Sequence, residues 1–488
     1  MLEKGGFISF ANCGMPYFIA GRIRSSDDLL VTTSEKVRAR FNIDARTGHE
    51  VLSIDRARKT VQVRDLSQQR EYELSYDKLI LAPGGVPIVP PIPLIDSPNV
   101  LQLRTMEDTF RVDAFLRDRK PRHVTVIGAG FIGLEMTEAL RDRGIAVTLV
   151  EKAPMPLPPL DPDMAMPLVE VLRQHDVTMH LGDGLAGMDG TSAGVTRVKL
   201  ESGVSIATDA VLLSIGVRPN ADLAKRAGLT IGSSGGIAVD DMQRTSDPDI
   251  YAAGDAAELT HGGTGKPSRI PLAGPANRQG RTAGEHAVCG SAAPTGRAIG
   301  TAILGLFDRA AAITGLGENA ARAAGYDIDT AIVVPNHHAS YYPGAESMRL
   351  KIVYEKWTGK LLGASAVGGK GVDKRIHMAG FVAQNQRGGV SRGIAAAQLN
   401  GERLIDVRTP AEFEAGSLPG AINIPLDDLR GRLGEIDNDK PVALFCKVGQ
   451  RGYVAERILR QFGRTDVSNI KGGYTLAREQ SVKKANRI

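Results

Sequence analysis

Short apolar runs separated by glycine and proline turns are the dominant pattern along this chain. The run His123 to Ile127 leads into a glycine-rich turn at 128–133, and Leu134 to Arg143 has the apolar spacing of a helix. A second apolar run follows at Ile145 to Val150. The pattern therefore predicts a strand–turn–helix–strand unit in this part of the chain.

Other segments also contain short apolar runs, which are joined by turns or linkers of other kinds. Residues 47–81 predict short strands that end in a proline–glycine turn, and Ala210 to Ile215 predicts one more strand. Residues 331–367 alternate apolar and polar positions, which predicts an antiparallel sheet. A stretch rich in glycine, alanine, glutamine and arginine predicts a linker before a new α/β unit opens at Arg403.

Composition narrows the class of protein. A chain of 488 residues is too long for one core, and its net charge is only +5. We expect no nucleic-acid partner, because no basic block is interleaved with aromatic residues, and no membrane span, because no long apolar run occurs. Three scattered cysteines suit a reducing cytoplasm, and no pattern predicts a bound metal.

Cys13 is the first candidate for chemistry. It lies in Asn12-Cys13-Gly14, where the sequence predicts the start of a helix. A helix N-terminus favours negative charge, so a thiol there loses its proton easily. The alternative interpretation is a buried structural thiol.

The turn Gly128, Gly130 and Gly133 predicts a dinucleotide site. The first glycine allows the tight turn, the second lets a pyrophosphate approach, and the third lets helix and strand pack closely. Glu151 closes the next strand, where a carboxylate would bind the adenosine ribose. This favours NADH over NADPH, although the adjacent Lys152 leaves NADPH possible.

A second nucleotide signature ends at Gly254-Asp255. A strand that ends in Gly-Asp presents a carboxylate to a ribityl hydroxyl, and a helix that starts near Ala273 would point its N-terminus at a flavin ring. Together with the turn at Pro83 and Gly84, these residues predict an FAD site.

The C-terminal segment carries its own cysteine. The strand Val442 to Phe445 leads into Cys446-Lys447-Val448-Gly449-Gln450-Arg451, and a helix follows from Gly452. A loop that closes from Cys446 to Arg451 turns its amides toward the sulfur, which stabilises a thiolate or a persulfide anion. A phosphatase-like anion loop and an inactive carrier domain are the alternatives.

Over residues 1–385 the chain resembles the pyridine nucleotide–disulfide oxidoreductases, in the single-cysteine branch that contains coenzyme A disulfide reductases. Ser9 to Tyr17 resembles the cysteine motif of that branch, and His338 to Ala345 resembles its dimer-domain motif. The resemblance implies FAD, NADH, a mixed disulfide between Cys13 and coenzyme A, and a homodimer in which Tyr341 or Tyr342 assists near the partner's thiol. Both tyrosines have a core-aromatic alternative.

Residues 401–478 resemble a rhodanese domain, with Cys446 as the sulfur-carrying nucleophile. The expected fold is α/β: two interleaved Rossmann-like nucleotide-binding domains, an α+β dimerisation domain and an α/β rhodanese domain. The expected bounds are 1–106 and 237–306 for FAD, 107–236 for NAD(P)H, 307–385 for dimerisation, 386–400 for a linker and 401–488 for rhodanese.

The chain departs from the family pattern at two places. The first βα unit of the FAD domain, which would hold the FAD pyrophosphate, does not precede Cys13. At 376–378, two elements that the family separates by several helices join directly, and the family's further tyrosine is not found there.

The combined motifs predict an FAD-dependent NAD(P)H reductase of coenzyme A persulfide or polysulfide, with a rhodanese domain that exchanges sulfane sulfur. Three alternatives stay open: coenzyme A disulfide reduction, NADH oxidation through a sulfenic acid at Cys13, and a flavin-less scaffold for a sulfur carrier.

Overall fold

The computed structural model describes residues 1–384, 401–437, 439–447, 450–470 and 473–474. These residues divide into two compact units. The first comprises 1–324, 330–352 and 363–384, and the second comprises 325–329, 353–362 and the described residues from 401 onward. The predicted linker 386–400 lies outside the described residues.

A parallel five-stranded sheet forms the centre of the region predicted to bind NAD(P)H. The apolar run predicted at 123–127 is its middle strand and is buried almost throughout, as in sheets covered on both faces. The strands in order across the sheet are Val100–Leu101, Ala210–Leu213, His123–Ile127, Ala146–Glu151 and Thr178–Leu181. The helices of this region are Met106–Arg119, Phe131–Asp142 and Pro162–Gln174, and an antiparallel insert consists of Leu185–Thr191, Gly194–Leu200 and Ser205–Ala207.

Shorter elements form the region predicted to bind FAD. The parallel pairs are Leu2–Glu3 with Arg46–Thr47 and Leu79–Leu81 with Ile250–Ala252. The antiparallel strands are Ser9–Phe10 with Leu30–Thr32, Gly85–Pro87 with Val217–Pro219, Leu259–Thr260 with Pro267–Ser268, and the sheet His49–Asp55, Thr60–Asp65, Arg70–Ser75. The helices are Met15–Ile19, Ser34–Phe41, Asp222–Arg226 and Ala273–Cys289, with 3₁₀ turns at Asn12–Gly14, Ser26–Leu29 and Gly254–Ala256.

A five-stranded sheet follows toward the C-terminus of the reductase part. Its strands in order are Thr301–Leu306, Arg309–Gly315, Leu361–Gly368, Met348–Glu355 and Ile328–Val333. The helices are Glu318–Ala323 and Val372–Gln384. The second helix runs through the junction at 376–378 without a break, so the shortened connection is accommodated inside one helix.

The rhodanese-like region is built on a parallel four-stranded sheet. The strands in order are Ile422–Asn423, Arg403–Asp406, Val442–Phe445 and Val467–Asn469. The helices are Pro410–Glu414 and Gln450–Gln461, with a 3₁₀ turn at Leu433–Glu435. Buried aliphatic side chains such as Ile405 and Leu444 form its core. The α/β fold class expected from the sequence is confirmed.

Across the described stretches of the chain, no helix is both long and apolar enough to cross a membrane.

A buried ion cluster joins the region predicted to bind NAD(P)H to the C-terminal five-stranded sheet of the reductase part. The Lys351 side chain is 1% exposed, and its Nζ lies 2.9 Å from Asp161 Oδ2 and 2.9 Å from Asp163 Oδ2. Nζ also contacts the Glu318 carboxylate. Burial alone would lower the pKa of Lys351, but the hydrogen bonds that its ammonium donates to Glu318, Asp161 and Asp163 raise the pKa above its usual value. The ammonium therefore stays charged and compensates buried carboxylate.

We expect Lys351→Met to lower the free energy of unfolding by about 3–5 kcal/mol, because removing one partner of a buried pair leaves the other charges uncompensated. Urea unfolding of the purified chain measures the change. The matched control is Lys4→Met, because Lys4 pairs with Glu50 but is 68% exposed, and it should cost less than ~1 kcal/mol. Equal losses of unfolding free energy in the two variants would contradict the stabilising role of the buried Lys351 cluster.

Candidate functional site

Cys13 lies on the surface in a single 3₁₀ turn. The turn Asn12–Gly14 leads directly into the helix Met15–Ile19, so the thiol stands where the sequence predicted a helix start. Cys13 and Asn12 are both exposed. Exposure rules out the alternative of a buried structural thiol and leaves the sulfur accessible to a substrate.

The helix that follows Cys13 is held between two longer helices. Met15 and Ile19 are buried against Met106 and Leu134, which belong to the helices Met106–Arg119 and Phe131–Asp142. Arg22, just after the cysteine helix, donates to Glu138 Oε1 at 2.6 Å. The cysteine turn is thereby fixed against the helix that opens at the glycine-rich turn.

The three glycines of that turn have different surroundings. A Cβ at Gly128 would lie 2.4 Å from the Ser214 carbonyl oxygen, and one at Gly133 would lie 1.9 Å from the Gly128 carbonyl oxygen. A Cβ at Gly130 would meet no protein atom within 4 Å. The backbone is therefore closely packed at the first and third glycines and open at the second, which is the arrangement a pyrophosphate needs.

Glu151 closes the second strand of this unit and is mostly buried. Its Oε2 accepts a hydrogen bond from the Ala129 N–H at 2.6 Å, and its Oε1 accepts from the Ala153 N–H at 2.8 Å. The carboxylate thus holds the glycine-rich turn by a hydrogen bond to its backbone. Lys152 points away into a surface ion pair with Glu201.

The residues predicted to contact FAD lie at the carboxyl ends of two parallel strands. Leu79–Leu81 leads to Pro83 and Gly84, and Ile250–Ala252 leads to Asp255. Arg104 Nη2 donates to Asp255 Oδ2 at 3.0 Å, and Arg104 Nε donates to the Gly85 carbonyl at 3.3 Å. Sequence reasoning missed Arg104, which has no motif around it.

The surroundings of Asp255 bear on whether FAD can bind here. Within the described residues its Oδ1 accepts no hydrogen bond from the protein, and the helix Ala273–Cys289 begins beside it without a side-chain cap. A free carboxylate oxygen and unpaired helix N–H groups suit a ribityl chain and a flavin ring. The residues present fit that end of FAD.

Tyr341 and Tyr342 lie in the loop before the strand Met348–Glu355. They are 90% and 65% exposed, which rules out the core-aromatic alternative. The Tyr342 ring meets the His338 ring edge-on at 5.4 Å, so the contact is local.

The second cysteine occupies a buried position at the end of the strand Val442–Phe445. Cys446 is 1% exposed, and its carbonyl accepts a hydrogen bond from the Tyr474 N–H at 2.7 Å. Arg451 Nη1 and Nη2 donate to the two Glu412 oxygens at 2.7 and 2.8 Å. Val448 and Gly449, in the middle of the predicted loop, lie outside the described residues.

The Arg451 guanidinium interacts electrostatically with both the Glu412 carboxylate and the Cys446 sulfur. The hydrogen bonds that Arg451 donates to Glu412 are the largest cause that raises the pKa of Arg451, and attraction to Glu412 and to the Cys446 sulfur adds to the effect. The same ion pair lowers the pKa of Glu412 to about 2. Both partners are therefore ionised throughout the neutral range.

Two groups near Cys13 were not singled out from the sequence. Tyr17 follows Cys13 by one helical turn, and burial first, then Glu135 and Glu138, raise the pKa of its phenol. Burial first, and Glu138 second, raise the pKa of Glu135 to about 7. No sequence motif distinguishes Glu135, because its protonation depends on the packing of the cysteine helix against its own helix.

Comparison with known proteins gives three family matches. The pyridine nucleotide-disulphide oxidoreductase model matches residues 1–280, and the dimerisation domain of that family matches 301–391. A rhodanese-like domain matches 391–479.

Individual proteins extend these matches. Coenzyme A disulfide reductase of Staphylococcus aureus is 31% identical over 386 residues, covering 79% of this chain and 86% of the relative. The crystal structure of reduced CoADR-RHD from Bacillus anthracis is 40% identical, with a TM-score of 0.75 over 98% of this chain and 92% of the other. The NAD-dependent persulfide reductase from A. fulgidus is 33% identical, with a TM-score of 0.76 over 97% and 94%.

Two glycine variants should separate binding from folding. Gly130→Ala should leave the fold intact but weaken NADH binding about tenfold, or ~1.4 kcal/mol, because the methyl group fills space that the pyrophosphate needs. Gly133→Ala should lower the melting temperature as well, because its Cβ has no room. Calorimetric NADH titration and thermal unfolding measure the two effects, and wild-type affinity in Gly130→Ala would contradict the assignment.

Glu135→Gln should change stability in a pH-dependent way. A carboxyl whose pKa is raised on folding costs stability as the pH rises from its unfolded pKa of 4.5 to its folded value of about 7. The variant should match the wild type near pH 4 and exceed it by ~1–3 kcal/mol near pH 8, measured by urea unfolding. Glu170→Gln, at an exposed position of the helix Pro162–Gln174, is the control and should show no such difference.

Proposed function

Because the chain belongs to the pyridine nucleotide-disulphide oxidoreductase family, we propose that it reduces the S–S bond of coenzyme A persulfide, or of a related polysulfide, with electrons from NADH. The family uses FAD and a pyridine nucleotide, so the chain is a flavoprotein oxidoreductase. The exact sulfur substrate is the proposed part.

The observation that carries the proposal is the presence of two differently built sulfur sites in one chain. Cys13 is exposed and fixed to the nucleotide helix, as a thiol that receives electrons from NADH must be. Cys446 is buried beside an arginine, as suits a carrier of anionic sulfur. The persulfide reductase from A. fulgidus aligns with both parts of the chain.

The chemistry at Cys13 is a thiol–disulfide exchange. The Cys13 thiolate attacks the sulfur attached to coenzyme A, breaks the S–S bond of the persulfide and releases HS⁻. The products are a Cys13–S–S–coenzyme A disulfide and hydrosulfide. The two electrons of NADH then break this disulfide, and the proton that NADH oxidation releases goes to the coenzyme A thiolate. FAD, when bound, supplies the two-electron relay between nicotinamide and sulfur.

The surrounding residues hold the reactants. The turn of Gly128, Gly130 and Gly133 receives the NADH pyrophosphate at its open second glycine, and Glu151 holds the turn and contacts the adenosine ribose. Asp255, Pro83, Gly84, Ala273 and Asn12 line the flavin. Tyr341 or Tyr342, both exposed on the dimerisation region, reaches the thiol site of the second subunit in a homodimer.

Cys446 supplies or accepts the sulfane sulfur. Its thiolate attacks the terminal sulfur of a persulfide R–S–SH, which yields Cys446–S–SH and the thiolate RS⁻. Arg451 lies close enough to stabilise the anionic sulfur.

Coenzyme A disulfide reduction is the second candidate, and the similarity to the Staphylococcus aureus enzyme favours it. The steps at Cys13 are the same, except that the first attack releases coenzyme A thiolate instead of HS⁻. The ratio of kcat/KM for the two substrates separates the candidates, and we expect the persulfide to exceed the disulfide by about tenfold or more.

We expect Cys13→Ser to abolish NADH-dependent sulfide release from coenzyme A persulfide, because a hydroxyl cannot form the mixed disulfide. NADH affinity should stay unchanged, since Cys13 does not line the glycine-rich turn. Sulfide release and NADH titration measure these effects. Cys289→Ser is the matched control, because Cys289 is also exposed but ends a different helix, and it should keep full activity.

Three outcomes would contradict the proposal. Unchanged turnover in Cys13→Ser would remove the thiol from the reaction. Oxygen uptake with no sulfur substrate would favour NADH oxidation. A purified protein without flavin absorbance bands would favour the scaffold alternative.

A further inference from the structure

The arginine beside Cys446 forms an ion pair with a carboxylate. Arg451 lies in the first turn of the helix Gln450–Gln461, and both of its terminal nitrogens donate to Glu412 at 2.7 and 2.8 Å. A paired fork of this kind is the strongest geometry that a guanidinium forms with a carboxylate. An incoming anion therefore meets an arginine that already donates two of its five N–H groups to Glu412 and whose charge that carboxylate neutralises.

Glu412 is itself held in place by its own helix. It is the third residue of the helix Pro410–Glu414, and its Oε2 accepts from the Thr409 N–H at 3.1 Å and from the Thr409 hydroxyl at 3.2 Å. The Thr409 hydroxyl in turn accepts from the Glu412 N–H, which completes a capping box. The carboxylate is fixed before any substrate arrives.

Sulfane sulfur donors differ in the leaving group that this site must accommodate. In thiosulfate the leaving group is sulfite, whose oxygens need free N–H donors and positive charge. In an organic persulfide the leaving group is a thiolate, which carries no oxyanion. A fixed carboxylate beside the arginine opposes the first kind of donor by its negative charge and by taking two of the arginine's N–H donors, and it affects the second kind much less.

We propose that Glu412 makes the Cys446 site selective for organic persulfides over oxyanionic donors such as thiosulfate. This rests on the proposed function of Cys446 as a sulfur carrier. With thiosulfate, the Cys446 thiolate would attack the sulfane sulfur, form Cys446–S–S⁻ and release sulfite. With a persulfide, the same attack forms Cys446–S–SH and releases a thiolate. Cyanide then removes the sulfane sulfur as thiocyanate in either case.

Glu412→Gln in the full-length chain is the test. The amide keeps the size of the side chain and an oxygen for the cap, but it removes the charge and the paired geometry. We expect kcat/KM for thiosulfate:cyanide transfer to rise about tenfold, mainly through KM, and kcat/KM with glutathione persulfide to change by less than about twofold. Thiocyanate formation measures both.

Inert sulfate gives a second readout that needs no change in chemistry. It should inhibit persulfide-dependent transfer more strongly in Glu412→Gln than in the wild type, and the difference should shrink at high ionic strength. Glu414→Gln is the matched control, because Glu414 ends the same short helix but is exposed, and it should behave as the wild type in both assays.

The outcomes separate this inference from the function on which it rests. Unchanged thiosulfate and sulfate behaviour in Glu412→Gln would overturn the selectivity role, and an equal loss with both donors would show a merely structural role. Cys446→Ser should abolish thiocyanate formation with either donor. If it does not, the sulfur-carrier function of Cys446 fails, whatever Glu412 does.

Discussion

Burial of one short helix fixes the position of Cys13 in the first unit. Met15–Ile19 is only five residues long, too short to be stable alone, and it depends on packing against the helices Met106–Arg119 and Phe131–Asp142. The first of these helices begins next to Arg104 and Asp255, and the second begins at the glycine-rich turn. The exposed thiol, the predicted flavin contacts and the nucleotide turn are therefore tied to one core.

The two cysteines that are predicted to react have opposite environments. Cys13 is exposed on a turn, while Cys446 is buried at the end of a central strand beside the Arg451–Glu412 pair. An exposed thiol can form a disulfide with a large substrate such as coenzyme A. A buried thiol with a neutralised arginine suits a small sulfur atom that must be held and passed on. The physical contrast supports a division of labour between the two sites.

Much of this arrangement was predictable because short-range rules determine it. The strands at 123–127 and 442–445 have the bounds that their apolar runs predicted, and the helix at 131–142 begins three residues earlier than its apolar spacing indicated. Glycine at 128 and 133 follows from close backbone contact, which the spacing of the turn already indicated. Arg104, Glu135 and Glu412 were not predicted, because each acquires its role from a partner far away in sequence or from burial.

The sequence by itself determined the fold class, the family, the two cysteine motifs and the glycine-rich turn, since apolar periodicity and turn residues act over a few neighbouring positions. Only the tertiary structure decided which charges meet. Lys351 has no local signal, yet it is buried among Asp161, Asp163 and Glu318. Glu412 reaches Arg451 across thirty-nine positions of chain. Such pairings depend on how elements pack, because the energy of an ion pair is set by distance and burial, and a linear sequence specifies neither.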